Sequence, residues 1–167
     1  PIVFTADDNS AGGWEGIRFN TSSDYGDASS LMEHCVVEKG VYGIMVVKTD
    51  TPTLQDVELN DCTEWPLYLY ACDLIPTSNV SASGNPDNRA YYAGPITEDR
   101  TIDEASWTSL EVVFGNVTIY SVSNPTLTVE AGSELRFLPG TLLDVAYYVS
   151  SVHNNYRGGL HAVGTTE

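Results

Sequence analysis

Basic residues are scarce in this chain: seven Lys plus Arg, only Lys39 and Lys48 being lysines, stand against 23 Asp plus Glu in 167 residues. The formal net charge of −16 repels nucleic-acid phosphates and anionic membrane surfaces, so no nucleic-acid partner is expected. No run approaches the about 18 apolar residues of a membrane span, and no charged-then-apolar leader opens the chain; no membrane insertion is expected. Cysteine is sparse, with Cys35, Cys62 and Cys72 forming an odd set without a CxxC. His34, His153 and His161 lie far apart in sequence, so no metal site is expected from these residue types. Gly12-Gly13 and Gly158-Gly159 are not followed by Lys-Ser/Thr and read as turn glycines, not phosphate loops. Sustained 3.6-residue periodicity is missing too, and only Asp103 to Leu110 admits a helical turn.

What is present is a repeat. Pro66-Leu67-Tyr68-Leu69 answers Gly43-Ile44-Met45-Val46 at an offset of 23, and Thr53-Leu54 answers Ser30-Leu31 at the same offset. Val80-Ser81-Ala82 falls one such period after Val57-Glu58-Leu59. Gly16-Ile17-Arg18-Phe19 precedes Gly43-Ile44 by 27, one period plus a loop insertion near Asp24-Tyr25-Gly26-Asp27. A period in the twenties with alternating apolar positions marks a solenoid, because no single turn can bury its own apolar face. Short runs bounded by Gly, Pro, Asn, Asp or Ser read as strands and turns, from Ile2-Val3-Phe4 through Leu127-Thr128-Val129 to Leu135-Arg136-Phe137. The expectation is one all-β domain over 1–167, with regular rungs over 14–85 and a long loop excursion over about 86–107.

The stretch from Leu127 to Thr141, with Leu127-Thr128-Val129, Gly132, Leu135-Arg136-Phe137 and Pro139-Gly140-Thr141, resembles the "LTVxxGxxLxFxPGTxL" rungs of right-handed parallel β-helix proteins secreted or displayed by bacteria and archaea. In that family a "GxLxAxGTxxxPIxFTS" rung follows, then "GxWxGIxF", then "LxHCxVExG". Here Gly159-Leu160-His161-Ala162-Val163-Gly164-Thr165 closes the chain, and Pro1-Ile2-Val3-Phe4-Thr5-Ala6 opens it. Gly13-Trp14-Glu15-Gly16-Ile17-Arg18-Phe19 and Leu31 to Gly40 come next. The resemblance implies a right-handed parallel β-helix of the pectate-lyase-like β-solenoid type, whose C-terminal rung reads as the piece that belongs before its N-terminal rung; with no obvious capping helix at either terminus, uncapped ends are expected. The unit is then one of a tandem array, or separate chains stack end to end. The absence of an opening Met suggests a mature fragment or an excised module.

Chemistry is harder to find. β-Helices host polysaccharide lyases and hydrolases, and a glycosidase needs two carboxylates about 5–10 Å apart. Rungs about 4.8 Å apart would supply that if Glu38 stacked on Asp61 and Glu33 on Asp56, but both pairs read more simply as outward polar positions. His34 and Cys35 are successive strand residues on opposite faces, so they form no nucleophile pair. The cysteines read as buried small apolar side chains, with one pair plus a free thiol as the alternative in an oxidising compartment. Three Asn-x-Ser/Thr sequons, at Asn20, Asn79 and Asn116, matter only in a glycosylating host. The acids read as a solvated surface; no cofactor is expected, with loop-bound calcium at Asp7-Asp8-Asn9 or Asp24 to Asp27 as the sharper alternative. Trp14, Tyr42 and Trp65 hold similar places and are expected to form an aromatic ladder, with a sugar platform as the alternative.

The leading expectation is an extracellular structural subunit, not an enzyme, that joins copies of itself end to end into a filament, sheath or surface stalk. Its assembly interface would be Pro1, Ile2, Val3, Phe4 and Thr5 with Gly159, Leu160, His161, Ala162, Val163, Gly164 and Thr165. The alternative is an adhesin module that binds cell-surface polysaccharide through Tyr91 and Tyr92; a polysaccharide-cleaving enzyme ranks third.

Overall fold

Alternating apolar residues bounded by turn formers give one kind of element only. A computed structural model describes residues 1–20, 30–48, 52–72, 77–102, 110–145, 147–149, 155–162 and 164. Among them are sixteen strands and no helix: β1 (Ile2–Phe4), β2 (Ile17–Asn20), β3 (Leu31–Glu38), β4 (Ile44–Val47), β5 (Thr53–Asn60), β6 (Leu67–Tyr70), β7 (Thr77–Ser83) and β8 (Ala90–Ile96). The series continues with β9 (Arg100–Ile102), β10 (Val112–Ile119), β11 (Thr126–Val129), β12 (Arg136–Phe137), β13 (Leu143–Val145), β14 (Tyr147–Val149), β15 (Asn155–Arg157) and β16 (Gly159–Ala162). The strands stack in parallel as a β-solenoid of about 5 turns with rungs about 23 residues apart. The helical turn expected at Asp103 to Leu110 falls, apart from Leu110, outside the described residues.

The chain divides into two units: Pro1–Tyr92 with Thr108–Val113, and Ala93–Trp107 with Phe114–Glu167; β8 and β10 contribute residues to both. In the first unit one sheet has the order β1-β3-β5-β7, and a second runs β8-β6-β4-β2. Ile17 stands opposite Ile44 and Ile44 opposite Leu67, reproducing the offsets of 27 and 23. Val57 to Leu59 face Val80 to Ala82, also as the repeat predicts.

Between β3 and β5 the spacing is one residue shorter. Leu31 faces Thr53 and Glu38 faces Asn60, so the expected match of Ser30 with Thr53 slips by one. The cause is a turn: four steps lead from Gly40 to Ile44, whereas five lead from Cys62 to Leu67, and the extra residue shifts one sheet's register against the other's. One period therefore cannot serve both faces.

The rungs bend at columns of left-handed residues. His34, Asp56 and Asn79 lie at φ of 52°, 50° and 53°, and Lys39, Asp61 and Gly84 at 60°, 54° and 70°. Lys48 and Ala71, at 55° and 50°, form a third. The first two columns follow the registers of β3 on β5 and of β5 on β7, and the third follows that of β4 on β6. Side chains tie the first together, Asn79 Nδ2 donating to Asp56 Oδ1 at 2.6 Å and His34 Nδ1 lying 3.2 Å from Asp56 Oδ2. Inside the rungs Val37, Ile44, Val46, Leu54, Val57, Leu59, Leu67 and Leu69 are buried, each such burial contributing about 1.5–3 kcal/mol.

In the second unit β9, β11 and β16 form a parallel sheet, with Leu127 opposite Leu160 and Val129 between Ile102 and Ala162. β13 pairs β10 in parallel, placing Val117 and Ile119 against Leu143 and Val145. β12 lies on the same strand, where Leu138 N–H donates to Phe114 O at 2.9 Å. β14 and β15 form an antiparallel hairpin. Gly158 beside it admits no side chain, since a Cβ would come within 1.9 Å of Ile119 O.

The stretch expected to leave the rungs is mostly part of them. Residues 90–96 and 100–102 are β8 and β9, and inward-facing Ala90 and Tyr92 are buried. The polar Asn85-Pro86-Asp87-Asn88 segment is only a corner, held by Asn85 Nδ2 donating to Asn88 Oδ1 at 2.8 Å. Residues 103–107 of that stretch lie outside the described residues.

Candidate functional site

The sharpest anomaly is the exposure of inward-facing apolar residues on terminal rungs. Ile2 and Phe4 of β1 face Cys35 and Val37, so their side chains point into the same interior. Yet Ile2 is 62% and Phe4 37% exposed, whereas Cys35 is 5% and Val37 0%. In the second unit Leu160 of β16 is 45% exposed although its neighbour Leu127 is 2%, and Val145 of β13 is 41% against 0% for Ile119. Residues that the alternation directs inward are thus left uncovered at β1, β13 and β16. Among the described residues each of these strands also pairs with a neighbour on one side only, leaving a row of backbone groups for a further strand.

The expected interface residues occupy these places unevenly. Pro1, Ile2, Val3, Phe4 and Thr5 are all exposed. Thr5 Oγ1 donates to Glu38 Oε1 at 2.9 Å, and this bond above all holds the Glu38 carboxyl below its ordinary range, against opposing desolvation and with lesser help from Lys39. Gly159, Leu160, His161 and Ala162 form β16, with Leu160, His161 and Ala162 exposed. Gly164 has open space around its Cα, while Val163 and Thr165 lie outside the described residues.

A second feature is a column of rings on the sheet containing β4 and β6. Tyr68 stands opposite Met45, which stands opposite Arg18. Tyr68 stacks on Tyr91 at 5.2 Å, Tyr91 on Trp65 at 5.1 Å, and Tyr42 meets Tyr68 edge-on at 5.5 Å. Burial pushes the Tyr68 and Tyr91 hydroxyls above the ordinary phenol range, neighbouring tyrosines adding to it. The expected ladder is therefore corrected: Tyr42 and Trp65 belong to it, but Trp14 instead donates Nε1–H to Glu38 O at 2.9 Å. Tyr91 and Tyr92 point to opposite faces. Tyr92 is buried, and its hydroxyl donates to Cys72 O at 3.1 Å, so of the two only Tyr91 reaches the outer surface.

The arrangements expected of an enzyme are not assembled by this register. Glu33 faces Gln55 and Glu38 faces Asn60, so neither expected carboxylate stack forms. His34 is exposed and Cys35 buried, so the two are kept apart as expected, but by the left-handed corner at His34 and not by simple alternation. All three cysteines are buried, and no disulfide joins them. Cys35 faces Val57, while burial raises the Cys62 thiol to about 11. Among the described residues no group of three or more His, Cys, Asp or Glu is placed to hold a metal ion. Of the two calcium candidates, Asp24 to Asp27 lies outside the described residues. In the other, Asp8 Oδ1 accepts from Ser10 N–H at 3.1 Å and Ser10 Oγ at 2.7 Å, closing a local turn.

No family model, no curated protein and no solved structure matches this chain. Geometry is therefore the basis for a functional reading. Sequence reasoning missed Leu31, Leu142 and Val145 among the exposed apolar residues; the Leu31-Met32 pair just before the His34 corner was the available signal.

Proposed function

We propose that this chain is an extracellular structural subunit whose β-solenoid rungs are continued by copies of itself, end to end, into a filament, sheath or surface stalk. The observation that carries this reading is the exposure of Ile2 and Phe4 in the first unit and of Leu160 and Val145 in the second, all directed inward. A further rung laid on β1 or β16 would bury them at about 25 cal/mol per Å2 of apolar area and satisfy the open strand edges. A contact between two different surfaces propagates, where a contact of one surface with itself stops at a dimer. The strongly acidic composition favours solubility of the lateral surface and leaves the edges as the attractive part.

A second reading, binding of cell-surface polysaccharide, draws on the column of Tyr42, Tyr68, Tyr91 and Trp65. Rings that stack on one another cover part of the faces a sugar would need, so assembly is the preferred reading. The test is electron microscopy and sedimentation of the purified chain at micromolar concentration, with and without residues 159–167. Regular polymers that vanish on truncation support the structural reading. Monomers that bind glycans, with binding lost in Tyr91→Ala, would replace it with the second.

A further inference from the structure

β1 covers only half of β3. Ile2, Val3 and Phe4 pair with Cys35, Val36 and Val37, all beyond the left-handed corner at His34. The half before that corner, Leu31 to Glu33, pairs on one side with Thr53, Leu54 and Gln55. Among the described residues no strand pairs its other side. Thr53 N–H donates to Ser30 O at 2.9 Å, so alternation turns the N–H and C=O of Leu31 and Glu33 away from β5, toward the open edge. Met32 between them points inward over Leu54. Leu31 is exposed, and Glu33 lies 3.9 Å from His34 and accepts the Cys35 thiol on its carbonyl.

β16 carries the matching half. Gly159 N–H donates to Pro125 O at 2.8 Å, so Gly159 and His161 direct their backbone groups to β11, and Leu160 and Ala162 direct theirs to the unpaired side. Leu160 is an inward side chain left 45% exposed.

Resting on the end-to-end reading above, we infer that β16 of one copy completes the half-rung before β1 of the next by pairing in parallel with Leu31–Glu33. Two independent constraints select the register. A parallel ladder matches a residue that directs its backbone groups at the partner with one that directs them away, which sets Leu160 opposite Met32. The interior needs an inward side chain on an inward side chain, and Leu160 on Met32 satisfies that as well. Leu160 N–H then donates to Leu31 O, and Glu33 N–H to Leu160 O. Gly159 falls opposite Leu31, and His161 opposite Glu33, where imidazole and carboxylate are complementary. Shifting by two, with Ala162 on Met32, keeps the hydrogen bonds but sets His161 against Leu31. The contact thus lies beside β1 on its rung, not on top of it.

The test mixes two full-length variants, Glu33→Cys and His161→Cys, under mild oxidation. Directly opposed strand residues fall within the about 4.4–6.8 Å Cα separation that a disulfide needs. The expected result is a covalent dimer at least tenfold more abundant than in wild type, or than from Leu31→Cys mixed with His161→Cys. Polymers seen by microscopy without that disulfide, or with it favouring Leu31, would overturn this contact and leave end-to-end stacking standing. A chain that sediments only as monomer at micromolar concentration would overturn both. Circular dichroism checks that each variant folds. Independently, Glu33→Lys should raise the concentration needed for assembly at least tenfold, and adding His161→Glu should restore it; failure of that rescue counts against the register.

Discussion

At the scale of single residues, position in the stack decides what a side chain contributes. Leu59 and Ile2 are both aliphatic, both in strands, and both directed inward, yet one is sealed between rungs and the other faces solvent. Leu59→Ala should therefore cost about 2–5 kcal/mol of unfolding free energy by removing buried methyl groups and leaving a cavity. Ile2→Ala should change the monomer by under about 1 kcal/mol, while weakening assembly, where the Ile2 side chain would become buried. Urea denaturation of dilute protein, paired with sedimentation at high concentration, separates the two effects. The Cys62 thiol gives a pH signature: burial raises it from 9.0 to about 11. In that window the unfolded chain loses the proton and the folded chain keeps it, so stability is full below pH 9 and falls as pH rises to about 11. Melting scans across that range should show a shallower decline in Cys62→Ala than in wild type.

At the scale of elements, the corners are as informative as the strands. An L-residue in the left-handed region costs roughly 1–2 kcal/mol, and Asn, Asp and His tolerate it better than most through local hydrogen bonds. The His34, Asp56 and Asn79 column uses such residues and links them by side chains. Ala71, at φ 50°, has no such compensation from its methyl group. Ala71→Gly should stabilise the fold by about 0.5–1 kcal/mol, the strain relieved exceeding the added chain entropy of glycine; the midpoint of urea unfolding reads it. Corners also explain where the repeat was readable. The 23-residue match of β4 with β6 and of β5 with β7 follows directly from the alternating pattern. The match of β3 with β5 does not, because a turn one residue longer between Cys62 and Leu67 shifts the ladder without altering either strand's composition. The same blindness placed Glu38 on Asp61 and Glu33 on Asp56. β8 and β9 look like an excursion in the sequence because Gly94-Pro95 and the polar corner before Ala90 interrupt the alternation that marks a rung.

At the scale of the molecule, attraction at open edges competes with repulsion between copies that each carry a net charge of −16. The Debye length falls from about 30 Å at 0.01 M salt to about 8 Å at 0.15 M, so screening should remove most of that repulsion. Assembly should begin at several-fold lower protein concentration in 0.15 M than in 0.01 M sodium chloride, measured by light scattering. Assembly that weakens with salt would mean that charge pairs, not apolar burial, hold the copies together.

The sequence by itself determined the class of element, the rung length and the inward positions of the regular strands β4 to β7, because alternation and turn residues act over a few neighbours. It also showed that the first and last segments carry the rung pattern, since Ile2-Val3-Phe4 and Gly159 to Ala162 alternate as the inner strands do. Tertiary structure alone decided the register of β3 on β5, the membership of the aromatic column, the burial of Tyr92 and the open half-rung at Leu31–Glu33. Those depend on how many residues each corner absorbs, and that count is set by backbone geometry between rungs, which no local pattern of residue types records.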